Sequence, residues 1–300
     1  MNNLANSYVD LGRGDEALTL LRETLDRRQK RLAAQATSSV EPSFAAWTHG
    51  QIGQAEQLRH DYAAALEAYG TSVDMFAKLD QAGKLNQSFF RYCFNFYQQR
   101  LALCRKAEQA VKNLDFALQQ PAAEVPGLLD IRMQALVAKK DQAGVVATAE
   151  AYAKLAEKDP KQTYNAACAW SISCGLVKDD AKLRDEYAGN ALALLKKTPT
   201  GKDHSFATPA ALAAHMKQDK DFDPLRERDD FKKLLAELEK EQASPDRPDS
   251  LKSIMGLTIS YDQAKMSTAA TRWRGSTMLL DESFSDSSTG SIADVPLKRA

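Results

Sequence analysis

Four cysteines and four histidines are the side chains of this 300-residue chain best able to ligate a metal or attack a carbonyl. Metal binding needs such residues at short fixed spacings, as in Cys-x-x-Cys or His-Glu-x-x-His. Cys93, Cys104, Cys168 and Cys174 form no Cys-x-x-Cys pair, and no histidine stands at a zinc-type spacing from them. They sit among Phe, Leu, Ala and Trp, the surroundings of buried free thiols. Unpaired thiols fit a reducing compartment, so a cytoplasmic location is expected. His49, His60, His204 and His215 are scattered, and His60-Asp61 reads as a turn whose Asp caps a helix. Gly201-Lys202 lacks the earlier glycine of a phosphate-binding loop, and there is no Gly-x-Ser-x-Gly elbow. The expectation is a chain with no cofactor, no metal and no enzymatic activity of its own. One alternative keeps a nucleophile, in a pocket around Cys168, Trp170 and Cys174.

Residues suited to gripping rather than reacting are better represented. Asn2, Asn6, Trp47, Gln54 and Asn95 are expected to face a partner-binding groove, since Asn and Gln amides can hydrogen-bond the backbone of an extended peptide. Arg27-Arg28-Gln29-Lys30-Arg31 is the strongest basic run, and it reads as the solvated outer face of a long helix. Lys+Arg and Asp+Glu are equal at 40 each, which argues against nucleic acid as the main partner. No run approaches the roughly 18 apolar residues of a membrane span. Met1-Asn2-Asn3-Leu4 enters a helical pattern directly, without a basic leader, so neither export nor a membrane partner is expected.

The elements that must position these residues repeat. Ala5 is followed twelve positions later by Ala17 and four further on by Leu21; Gly53 is followed at the same steps by Ala65 and Tyr69. A small residue on one helix and an Ala-x-x-x-bulky step on the next is the pattern of a tetratricopeptide helix pair. The expected fold is all-α: a right-handed tetratricopeptide-like superhelix of about five or six helix hairpins. The domain spans residues 1–241, in units at about 1–35, 43–80, 86–121, 127–160, 161–198 and 205–241. Gly12 with Gly14, Arg59-His60-Asp61 and Lys139-Lys140-Asp141 mark turns inside units. In the third unit the second helix is expected to include Ala110-Val111 and to stop before Pro121. Its first helix carries Phe89, Phe90, Tyr92, Phe94, Phe96 and Tyr97, which no single face can hold. It must pack on both sides or leave rings on a binding surface. Residues 242–300, rich in Ser and Thr behind Pro245 and Pro248, are expected to form a flexible tail.

Four stretches carry a family resemblance. Asn2-Asn3-Leu4-Ala5-Asn6-Ser7-Tyr8, with Gly12-Arg13 and Glu16-Ala17-Leu18, resembles the extended tetratricopeptide unit of kinesin-light-chain type. Tyr164-Asn165-Ala166-Ala167-Cys168-Ala169 resembles a segment in the C-terminal repeat region of planctomycete serine/threonine protein kinases. So do Ala214-His215-Met216-Lys217 and the run from Asp221-Phe222-Asp223-Pro224 to Asp230-Phe231-Lys232-Lys233-Leu234-Leu235. The resemblance covers about residues 1–241 and implies a bacterial protein with a kinase domain ahead of the repeats. This chain departs from that pattern. It has no Gly-rich phosphate loop, no His-Arg-Asp loop and no Asp-Phe-Gly, so no kinase residue carries over. The expected function is a noncatalytic scaffold that binds a protein or peptide in a concave groove. The alternative is the C-terminal regulatory or scaffold region of a serine/threonine protein kinase whose catalytic domain lies outside this chain. The sequence leaves the oligomeric state open.

Overall fold

Turn chemistry cuts the chain into helices. The computed structural model describes residues 2–34 and 40–240. Helix α1 (Asn2–Asp10) runs out at Gly12, whose φ of 71° is the left-handed value that glycine adopts without strain. Helix α2 (Gly14–Ala34) opens with Asp15 and Glu16, whose charges suit the positive end of a helix. Helix α3 (Glu41–Leu58) carries Pro42 in its first turn, where the missing N–H would have had no partner. Helix α4 (Tyr62–Gln81) comes after His60, at φ 59°, and Asp61, whose carboxylate accepts the Ala64 N–H. Asn113 separates α5 (Ser88–Lys112) from the short α6 (Leu114–Leu118) and accepts the Phe116 N–H.

The turn between α3 and α4 recurs between α7 (Val125–Ala138) and α8 (Gln142–Lys158). There Lys140 sits at φ 57° and Asp141 caps the Gly144 N–H. Asp180 caps α10 (Ala181–Leu195) after α9 (Thr163–Leu176), and Thr208 caps α11 (Pro209–Gln218). A 3-10 turn, Lys220–Leu225, leads to α12 (Asp229–Lys240). An Asn or Asp cap thus opens α4, α6, α8 and α10, the second members of four successive pairs.

The chain is all-α, with no strand among the described residues beyond one isolated bridge from Thr200 to Phe206. Each helix packs on its neighbour in sequence: α1 on α2, α2 on α3, α3 on α4, α4 on α5, then α7 to α10 in order. That nearest-neighbour packing is consistent with a helical-repeat superhelix. The core has the same serial arrangement and divides into three clusters. Ala5, Ala17, Leu18, Leu21 and Ala55 join α1, α2 and α3. Tyr62, Tyr69, Phe76, Phe90 and Tyr97 dominate the second cluster, on α4 and α5. The third and largest runs from Ala110 to Leu234 and includes Leu129, Tyr152, Trp170, Leu195 and Phe222. Two glycines of α3 make room for rings. A Cβ on Gly53 would lie 2.6 Å from the Tyr69 ring, and one on Gly50 would overlap the Tyr97 ring. The small residue of the repeat pattern therefore seats a tyrosine ring.

One expected boundary is corrected. Ala110 and Val111 close the 25-residue α5; they do not belong to a second helix, and Asn113 leads only into the single five-residue turn of α6. The apolar period runs unbroken from Cys104 through Ala107 to Val111, and neither Gly nor Pro interrupts it. As a result α5 packs directly on α7. The expected tail at 242–300 lies outside the described residues. No helix among the described residues is long and apolar enough to cross a membrane.

Candidate partner-binding face

Helices α1, α3 and α5, the first members of successive pairs, touch one another in that order. Asn2 lies where α1 meets α3 and is only 6% exposed. Its Nδ2 donates to Thr48 Oγ1 at 3.1 Å and to Gln51 Oε1 at 2.6 Å, while its Oδ1 accepts from the Arg28 guanidinium at 3.2 Å. Gln51 in turn donates to Asn6 Oδ1. Asn2 and Asn6 therefore spend their amides bracing α1 against α2 and α3. Trp47 is half-buried, with its ring 5.3 Å from Phe89 in an edge-on contact and 6.2 Å from Phe44. Gln54 is half-buried on α3 and Asn95 exposed on α5. Neither side chain makes a hydrogen bond among the described residues. The structure thus brings Asn2, Asn6 and Trp47 into one neighbourhood and leaves Gln54 and Asn95 as separate surface amides.

Beside Asn2 and Trp47 is a cavity of about 380 Å³ whose other walls are Asn3, Thr24, Arg27, Arg28 and Arg31. The reading of the basic run as a solvated outer face holds for Arg27, Gln29, Lys30 and Arg31, which are exposed, and is corrected for Arg28. The Arg28 side chain is only 14% exposed. Its guanidinium lies 4.6 Å above the Phe44 ring and bonds Glu41 at 3.3 Å, and its Nε is buried without a partner. Burial lowers its pKa against the opposing pull of Glu41. Arg31 shares Glu41 at 3.6 Å, and Arg27 pairs with Glu23 at 2.5 Å. A sequence signal for the inward turn exists: Arg28 extends the stripe Ala17, Leu21, Thr24 at helical period, and those three are buried.

The aromatic helix α5 does both things open to it. Phe90 and Tyr97 are buried, whereas Phe89 is 48% and Tyr92 66% exposed. Tyr92 stacks on Phe96 with centroids 6.2 Å apart, and the Arg100 guanidinium covers Phe96 at 4.9 Å.

A second polar cluster lies where α7, α9 and the 3-10 turn meet. Cys168, Asp219 and Asp221 place their ligand atoms within 4.8 Å of one another, the one group among the described residues spaced to hold a cation. The Tyr164 hydroxyl donates to Asp219 at 2.8 Å, and His215 Nε2 is 3.7 Å from the same carboxylate. Burial, reinforced by Asp221, pushes Asp130 up to about 6. Burial, reinforced by Asp219, brings Asp221 to about 6 as well. The Cys168 thiol is driven up by burial first and the three carboxylates second. Cys174 is buried and also raised, and Trp170 packs on Tyr187 with centroids 5.2 Å apart. A reactive thiolate needs an electropositive, accessible setting, so this is core and not a nucleophile pocket.

Comparison with known proteins meets the structure at the N-terminal pair. Residues 1–34 match the family model for the tetratricopeptide repeat, which is the span of α1 and α2. No curated protein and no solved structure matches the chain. The match and the succession of helix pairs support a tetratricopeptide repeat protein, a class whose members bind proteins or peptides and are typically noncatalytic.

Proposed function

We propose that this protein is a noncatalytic scaffold that binds a protein or peptide partner along its first helices. The observation that carries this reading is the repeat match on α1 and α2, in an array whose α3–α4 and α7–α8 turns are built alike. In such arrays the first helices line an extended concave surface. Trp47, Gln54 and Asn95 supply aromatic and amide surface on α3 and α5, and Asn2 and Asn6 stiffen the wall beneath them. Four free thiols, all buried, fit a cytoplasmic setting and offer no nucleophile. Crosslinking in lysate tests the reading: a Trp47→Ala, Asn95→Ala variant that melts like the natural chain is expected to lose the captured partner. Undiminished capture counts against this face.

A second reading is favoured by one observation. The segments that resemble the planctomycete kinase repeat region converge, with the Tyr164 ring 5.5 Å from both His215 and Phe222. That joint supports a C-terminal module shared with those proteins, and hence a regulatory or scaffold role beside a serine/threonine protein kinase. The DNA upstream of the Met1 codon tests it: an in-frame kinase domain supports the reading, and its absence removes it.

A further inference from the structure

Trp47 has two faces of interest, because it both lines the arginine cavity and meets Phe89. The cavity is positive: among the described residues Arg27, Arg28 and Arg31 pair with the carboxylates of Glu23 and Glu41. No acidic side chain lines the cavity, and a negatively charged acceptor suits it, since guanidinium groups bind carboxylates in fork geometry. From Trp47 the surface continues onto α5 as a stripe of rings, Phe89, Tyr92 and Phe96, spaced three and four residues apart and closed by Arg100. Phe89 and Tyr92 keep about half and two thirds of their surface in water, a cost that a partner covering them would relieve.

From these features we infer that the face takes an acidic–apolar peptide, with an Asp or Glu side chain in the arginine cavity and aliphatic or aromatic side chains laid over the α5 stripe. The dimensions set the spacing. Seven residues of helix from Phe89 to Phe96 rise by roughly 10 Å, which an extended peptide covers in about three residues. The acidic residue therefore lies within about five positions of the apolar ones. The charge balance decides the class of peptide: a basic peptide would meet three guanidinium groups here, and a purely apolar one would cover them without adding a counter-charge. This inference rests on the scaffold reading and adds the chemistry of the ligand.

The test is selection of random displayed peptides of about twelve residues on the full chain, followed by anisotropy titration of a fluorescein-labelled copy of the most enriched one. The expected result is a family of peptides with Asp or Glu near Leu, Phe, Trp or Tyr, whose affinity falls as salt is raised. The Arg27→Glu, Arg31→Glu variant changes side chains that are 58% and 66% exposed, so the fold tolerates it, which a thermal melt checks. It should bind at least about tenfold more weakly. Tyr92→Ser should weaken binding severalfold with the salt dependence kept. Enriched peptides that lack acidic residues, or acidic peptides indifferent to the arginine variant, overturn the inference and leave the scaffold reading standing. No enrichment over a blank surface overturns both.

Discussion

Cys168 sits against Asp219 and Asp221, with Asp130 of α7 adding its charge; among the described residues the only basic group near these carboxylates by ion-pair distance is His215, at 3.7 Å, while Arg226 donates to the Asp219 backbone carbonyl at 2.7 Å. Such a setting holds a thiol protonated. Burial raises Cys93 to about 11 and Cys104 to about 12. All four thiols of the native chain are therefore expected to resist a disulfide reagent at neutral pH and to react together once guanidinium is added. Rapid native labelling of Cys168 would reopen the question of a nucleophile. The carboxylates have a pH signature of their own. Asp130 and Asp221 titrate near 6 in the fold against an unfolded value near 4, so the folded state holds the extra protons. Their contribution is fully present below about pH 4 and is lost as pH rises through about 6. Asp221→Asn, which stays neutral, should gain on the natural chain by on the order of 1–3 kcal/mol between those limits. Melting curves across that range check the sign; a variant that loses ground as pH rises would refute the assignment.

At the scale of the helix, short polar residues and small apolar ones do most of the specifying. Asp141→Ala removes the acceptor of the Gly144 N–H and should cost about 1 kcal/mol in urea unfolding. Gly53→Ala places a Cβ against the Tyr69 ring and should cost about 1–3 kcal/mol, even though alanine is the better helix former. These features are legible in the sequence because they are local or regularly spaced. Lys140-Asp141 announces its turn by residue type, and Ala17 or Tyr69 announces its packing by its distance from a small residue on the preceding helix. Two things are hidden. The end of α5 escapes a sequence reading because Ala107 and Val111 continue a flawless helical period, and the break rests on Asn113 alone. The commitment of Asn2 escapes it because its partners Thr48 and Gln51 are 46 and 49 residues away. An asparagine looks the same whether it meets a ligand or a neighbouring helix.

For the molecule as a whole, the significant junction is between the second and third core clusters, where α5 rests on α7. Arg132 of α7, 8% exposed, closes it. The guanidinium donates to the Ala110 carbonyl at 3.0 Å, to that of Val111, and to Thr148 Oγ1 at 3.1 Å. A positive charge on the last carbonyls of α5 also meets the negative end of that helix. Arg132→Met keeps the packing but strands two carbonyls, at a cost of about 2–4 kcal/mol. Trp47 reports on the second cluster and Trp170 on the third. Urea transitions monitored through each tryptophan alone are expected to coincide in the natural chain and to separate in the variant. Coincidence in both would show that the apolar contacts suffice to couple the clusters.

The five residues of α6 have a mechanical corollary. Elsewhere a full-length second helix stands between consecutive first helices and shares any load passing along the chain. At this joint α6 offers one turn, and tension crosses the side-chain contacts of α5 with α7, the Lys106–Glu124 ion pair and the hydrogen bonds of the Arg132 guanidinium. Under a steady pull on its ends, the polypeptide is expected to yield first at this seam, which a force-extension trace checks as an early release of the N-terminal hairpins as a block.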